Sequence, residues 1–227
     1  MDDGFLVLSN VLDQERCAHA LQVITSLDVS HSAVMANKDL FAIRGVCSIL
    51  PELLPIVWTP SLRALVSRYC GDQAFLTKSI YFDKPASSNW FVAFHQDISI
   101  SVKRRHEVDG FSGWTSKRGV IGVIPPPNFL QRTLTVRIHI DDTDGSNGAL
   151  RVIPKSHLQG IRKGAIDVTG EVTCSVGAGG AMLMRPLLMH ASSRSTTDKP
   201  RRVLHLEFND LELPPPLHWA ERQDLPA

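Results

Sequence analysis

The run Phe94-His95-Gln96-Asp97 sets an imidazole and a carboxylate two residues apart within a β-like stretch. Side chains alternate faces along a strand, so His95 and Asp97 point one way and Gln96 the other, where it suits fixing a neighbouring strand. A metal needs a third ligand, and His190, ending the apolar run 181–189, is the best candidate. Two imidazoles and one carboxylate on one side of an octahedral ion leave its other positions open, which is diagnostic of non-haem Fe(II) oxygenases. Structural zinc is disfavoured, because it prefers four ligands and cysteine, and no cysteine lies near this motif.

Eleven residues after His190 comes Arg201, opening the alternating run 202–208. A guanidinium there, on the strand next to the distal histidine, can grip a dicarboxylate by a bidentate pair. Together His95, Asp97, His190 and Arg201 resemble the pattern of the 2-oxoglutarate-dependent dioxygenases, and more narrowly the phytanoyl-CoA dioxygenase family. The narrower likeness rests on three stretches: 147–157, ending Pro154-Lys155-Ser156-His157; His190-Ala191-Ser192 followed by Arg201; and Phe82-Asp83-Lys84, as in short bacterial members. It covers nearly the whole chain, from Gly4 to about Phe208. Lys155 stands where the family usually has glycine, a departure that touches a turn and no ligand.

The resemblance implies a double-stranded β-helix, the jelly-roll barrel shared by cupins, and many short alternating strands after helices suggest the same. The expected class is therefore mainly β with flanking helices. A single domain, 1–227, would comprise a helical part (1–72), a barrel (73–210) and a tail (211–227). The resemblance further implies Fe(II) held by His95, Asp97 and His190, with 2-oxoglutarate and O2 as cosubstrates. Arg201, helped by the Ser192 hydroxyl, would hold the far carboxylate of 2-oxoglutarate, which is decarboxylated to succinate and CO2. Hydroxylation of an unactivated C–H bond of a small molecule is the default, since halogenating members replace the carboxylate of Asp97 with a small residue. Desaturation, epimerisation or ring closure with the same cofactors is an alternative. So is a non-catalytic binding module of this fold, against which stands the intact set of four residues.

Several elements must position these groups. Asp13 begins a helix with Cys17, Leu21 and Ile24 on one face. A second helix is capped by Thr59, has Pro60 in its first turn and a stripe of Leu62, Leu65, Val66 and Tyr69, and ends at Gly71. Residues 28–58 between them read as irregular, able to close over one end of a barrel with Arg44 and Trp58. From 133 to 140 the pattern alternates cleanly, so Leu134, Val136, Ile138 and Ile140 should pack on helices while Thr135, Arg137 and His139 line the interior. Arg137 is then either a second cation for a carboxylate of cosubstrate or substrate, joined by Thr135, or a partner for Asp141 or Asp142. His139 and His205 read as supporting or core histidines. Residues 101–131, rich in charge and turn formers, form a long connection expected to act as a substrate lid. Trp90, Trp114, Lys117 and Lys84 are the candidate substrate contacts. Gly177-Ala178-Gly179-Gly180 lacks the lysine and helix of a phosphate loop and reads as a turn.

Composition bounds the rest. Of 227 residues 43% are hydrophobic and the net charge is +1, which argues against a nucleic-acid surface. No apolar run approaches the roughly 18–20 residues of a membrane span, and the N-terminus has no signal-like pattern. Cys17, Cys47, Cys70 and Cys174 read as reduced, buried thiols of a cytoplasmic protein. The expected partner is a small, possibly anionic substrate, with neither nucleic acid nor membrane, and the chain a monomer or homodimer.

Overall fold

Apolar residues at every second position produce most of the strands, and helical spacing produces the N-terminal helices. In chain order the elements are β1 (Phe5–Leu8), α1 (Gln14–Thr25), β2 (Val34–Asn37), β3 (Leu40–Arg44), α2 (Val46–Ile49), α3 (Leu53–Val57), α4 (Pro60–Cys70), β4 (Phe75–Lys84), β5 (Val92–His95), β6 (Ile100–Val102), β7 (Ser112–Lys117), β8 (Val120–Ile124), α5 (Pro127–Arg132), β9 (Leu134–His139), β10 (Leu150–Val152), β11 (Val172–Cys174), β12 (Ala181–Met184), β13 (His190–Ser192) and β14 (Arg201–Asn209). The computed structural model describes every residue except 29, 31–33, 38–39, 85–90, 118 and 227, with only the backbone of 35–37 and 40. Trp90 and the turn 85–89 lie outside the described residues.

The strands form an antiparallel sheet in the order β1-β12-β9-β14-β4-β3-β2, a four-stranded sheet β11-β10-β13-β5, and a three-stranded sheet β6-β8-β7. From β4 onward, β4, β9, β12 and β14 belong to the large sheet and β5, β10, β11 and β13 to the small one. This passage of the chain back and forth between two facing sheets is the jelly-roll of a double-stranded β-helix, on a mainly β chain.

The alternation in β9 does what its pattern requires. Leu134, Val136 and Ile138 join Leu204, Leu206 and Phe208 of β14 in a core covered by α1 to α4. The opposite face carries Thr135, Arg137, His139, His205 and Glu207, all buried. A smaller apolar cluster of Leu150, Val152, Met182, Met184 and Leu188 fills one side of the interior. In α1 the Asp13 carboxylate accepts from the Arg16 amide, and in α4 the Thr59 hydroxyl accepts from the Leu62 amide, while Gly71 ends the helix at φ +105°. Gly177–Gly180 is a turn whose Gly179 carbonyl accepts from the amides of Val11 and Leu12.

Two segments differ from their sequence reading. Residues 28–58 are not irregular: β2 and β3 form a hairpin that extends the large sheet through β4, followed by the short helices α2 and α3. Residues 101–131 are not a loop either, but carry β6, β7, β8 and α5. Their apolar residues are spaced by single strand pairs and interrupted by glycine, so the period is hard to see. Val102, Phe111, Val123 and Phe129 nevertheless build a second core with Phe75, Leu187 and Trp219.

Candidate metal centre

His95 ends β5 and His190 begins β13, neighbours in the small sheet with these two residues in register. Asp97 lies just beyond β5, its amide bonded to the Pro186 carbonyl, which turns its carboxylate back toward both rings. His95 Nε2 is 3.8 Å from Asp97 Oδ1, His190 Nε2 is 3.6 Å from Asp97 Oδ2, and the ring centroids are 4.2 Å apart. All three donor atoms lie within 4.8 Å of one another.

The backbone decides which nitrogen each imidazole presents. His95 Nδ1 is 2.9 Å from the Ala93 carbonyl and His190 Nδ1 is 2.9 Å from the Leu188 carbonyl. A carbonyl only accepts, so both Nδ1 atoms carry the proton and both Nε2 lone pairs face the centre. Burial pushes His190 down to about 4, which keeps it a neutral ligand at pH 7. Burial works against the Asp97 carboxylate, but the surrounding His190, His205, Lys78 and His95 hold it down at about 2, in the charged form a metal needs. Gln96 turns away, donating to the Gly160 and Leu187 carbonyls and accepting from the Arg162 amide.

The three ligands open onto a cavity of about 370 Å³ whose wall also includes Arg137, Arg201, Ser192, His205, Glu207 and Lys78. Arg201 opens β14 of the large sheet and His190 opens β13 of the small one, so they meet across the interior and not on adjacent strands. Arg201 Nη1 and the Ser192 hydroxyl both donate to the Gly148 carbonyl, at 2.5 and 3.0 Å. Asn147 holds that turn in place through the Asp142 and Pro200 carbonyls. Arg137 Nη1 donates to His205 Nδ1 at 3.0 Å, and Nε2 of that ring therefore donates to Glu207, also at 3.0 Å. Asp141 is taken by Arg202, which removes the ion-pair alternative for Arg137 with that carboxylate. Burial, and for Arg201 the neighbouring Arg137 as well, pulls Arg201 down to about 9 and Arg137 to about 10. The Nε atoms of both are buried with no hydrogen-bond partner among the described residues. Two such guanidiniums in one cavity are matched by a dianion.

Of the other candidates, Lys117 lines a second cavity that shares Arg44, Lys78 and Ser99 with the first. Trp114 does not. Gly113, Thr115 and Lys117 occupy one face of β7, so Trp114 points the other way, into the second core and under the Arg105 guanidinium. Lys84 is 1% exposed, bonded to the Ser193 carbonyl at 2.7 Å, and lines neither cavity. Thr135 shares the face of Arg137 but is buried off the cavity wall. His139 is bonded to Thr143 and likewise stays off the wall. Lys78 and Glu207 were missed as wall residues, and Arg44, expected only in a segment able to close over one end of the barrel, lies on the wall too. The signal was present in the alternation 78, 80, 82 of β4 and 201, 205, 207 of β14, which marks one inward face on each strand.

The phytanoyl-CoA dioxygenase (PhyH) family model matches residues 1–203. The chain belongs to the phytanoyl-CoA dioxygenase family. That family's class, the Fe(II)- and 2-oxoglutarate-dependent oxygenases, is its class too. No curated protein matches the chain. Among solved structures it is similar to the carbocyclase SnoK from nogalamycin biosynthesis, at 16% identity over 93% of this chain and 81% of that one, TM-score 0.68. It is similar to the epimerase SnoN with Fe3+, α-ketoglutarate and nogalamycin RO, at 18% identity, 92% and 80% coverage and TM-score 0.68. EctD from S. alaskensis with 2-oxoglutarate and 5-hydroxyectoine gives 20% identity, 92% and 72% coverage and TM-score 0.69. These likenesses place the chain in their fold. No helix among the described residues is long and apolar enough to cross a membrane.

Proposed function

We propose that this member of the family hydroxylates an unactivated C–H bond of a small molecule, with 2-oxoglutarate converted to succinate and CO2. The observation that carries the reading is the convergence, on one cavity, of three ligand atoms of the facial-triad type with two buried guanidiniums that lack a carboxylate partner among the described residues. His95, Asp97 and His190 would hold Fe(II), and the lone pairs already aimed at one centre fit that role. Arg201 and Ser192, braced on the Gly148 carbonyl, would hold the far carboxylate of 2-oxoglutarate, and Arg137 would add a second positive charge beside it. The bound iron and 2-oxoglutarate supply the oxidising chemistry that consumes O2. Ile80, Phe82, Val92 and Leu150 supply apolar wall that keeps water from the reacting carbon.

A second reading, ring closure or epimerisation, is favoured by the stated activities of SnoK and SnoN, and substrate pose decides between the outcomes. The test of the shared chemistry comes first. The purified protein should bind one Fe(II) and, without oxygen, develop a visible charge-transfer band on addition of 2-oxoglutarate. His95→Ala and His190→Ala should each abolish the band; its persistence in both variants would sink the assignment.

A further inference from the structure

The second cavity, about 730 Å³, runs outward from the metal centre between β7 and β8 on one side and Arg44 and Lys78 of β3 and β4 on the other. Arg44, Lys78 and Ser99 belong to the walls of both cavities, so the two lie side by side. Among the described residues, every charged one on the outer wall is a cation: Arg44, Lys78 and Lys117. Lys78 has Glu207 at 2.8 Å, whereas Arg44 and Lys117 form no ion pair among the described residues. The inner cations, Arg137 and Arg201, are the ones that face the cosubstrate. Arg44 at the junction and Lys117 farther out are left for something else.

We propose that the outer cavity is the substrate subsite and that it selects an anion. The substrate carries a carboxylate or a phosphate, gripped by Arg44 and Lys117 with the hydroxyls of Ser99, Ser101 and Thr115 as further donors. Its carbon skeleton lies along Ile98, Val120 and Ile124 and passes inward to Ile80 and Val92. Anchoring the charge in the outer cavity leaves the carbon end directed to His95 and Asp97, so the same contact that gives affinity also orients the bond to be oxidised. This orientation rests on the dioxygenase reading; the anion preference does not.

Four probes of one skeleton separate charge from shape: hexanoate, hexyl phosphate, hexanamide and hexyltrimethylammonium. Each is titrated calorimetrically, without oxygen, into protein holding Fe(II) and saturating 2-oxoglutarate, which occupies the inner arginines. At least one anion should bind roughly 10-fold or more tightly than the amide, and whichever of the two does so identifies the headgroup. Arg44→Gln and Lys117→Gln, both at exposed positions, should each weaken that anion about 5- to 10-fold, while Lys103→Gln, an exposed lysine off both walls, should not. The proposal is overturned if the amide or the ammonium matches the anions, or if Arg44→Gln and Lys117→Gln bind like the parent. The 2-oxoglutarate band is read in the same samples. Its absence in the parent protein would remove the dioxygenase reading, while the ranking of the probes would still decide the subsite.

Discussion

Arg201 and Arg137 are the residues whose energetics depend most on what the cavity holds. Each is nearly inaccessible to water, each has a buried Nε with no partner among the described residues, and burial together with mutual repulsion weakens the hold of Arg201 on its proton. Such a pair is costly unless an anion answers it. Truncating one partner of a buried charge pair typically costs about 2–5 kcal/mol. Arg201→Ala should therefore weaken 2-oxoglutarate binding by roughly 30-fold or more, with Fe(II) affinity barely changed, since no ligand of the metal touches Arg201. A second readout follows by mass action: 2-oxoglutarate at 100 times the parent's Kd should stabilise the parent by about 2.7 kcal/mol, and at the same concentration this gain should fall to about 0.9 kcal/mol or less in the variant. Calorimetric titration and unfolding curves measure both. If Arg201→Ala binds normally and Arg137→Ala does not, the far carboxylate belongs to Arg137.

At the scale of elements, what the sequence revealed depended on how much of each strand is buried. In β9 both faces have a fixed partner, helices on one side and the interior on the other, so Thr135, Arg137 and His139 could be assigned inward from the pattern alone. The β6-β8-β7 sheet is different: β7 is mostly exposed, with Ser112, Gly113, Thr115, Ser116 and Lys117 facing water or the outer cavity. Such a strand shows no apolar period, and reading it as a lid made Trp114 a candidate substrate contact, whereas it packs on the second core. The candidate ligands His95 and Asp97 were legible because His-x-Asp is local; the inward faces of Lys78 and Glu207 could be read from the alternation, but their meeting could not, because it depends on the pairing of β4 with β14. The Pro154-Lys155-Ser156-His157 turn was legible as a likeness, and the structure adds its reason. The Ser156 hydroxyl accepts from the Met189 amide and so braces the backbone just before His190. Lys155, at φ +65°, occupies a left-handed conformation that glycine adopts without strain. Lys155→Gly should raise unfolding stability by about 0.5–1 kcal/mol without altering Fe(II) affinity, measured by urea denaturation. A loss of stability would mean that the lysine side chain holds the turn by contacts stronger than its exposed, 4.0 Å approach to Asp3.

Across the whole molecule, the tail 211–227, set apart from the barrel in the sequence reading, turns out to be internal. The tail beyond β14 sends Leu213, Leu217 and Trp219 into the second core. Trp219 is 3% exposed, meets Phe75 and Phe129 edge-on at 6.3 and 6.4 Å, donates to the Leu211 carbonyl, and forms a bridge with Val102. Two residues on, Glu221 accepts from the amide and hydroxyl of Ser79, and Gln223 exchanges two backbone hydrogen bonds with Leu76. One segment thus ties β4, which carries the cavity wall, to β6, which carries the outer chamber. Removing a buried aromatic ring costs about 3–5 kcal/mol, a large share of the roughly 5–15 kcal/mol that holds a domain together. Trp219→Ala should lower the unfolding free energy by that amount, read as a lower urea midpoint, and hydrogen exchange should quicken in 100–124 before it does in β9, because the three-stranded sheet loses its tether while the helix-covered core does not. A midpoint equal to that of the parent would mean that the tail adds nothing to that core's stability and that β6, β7 and β8 are held by the rest of it, Phe75, Phe111, Phe129 and Leu187 among others.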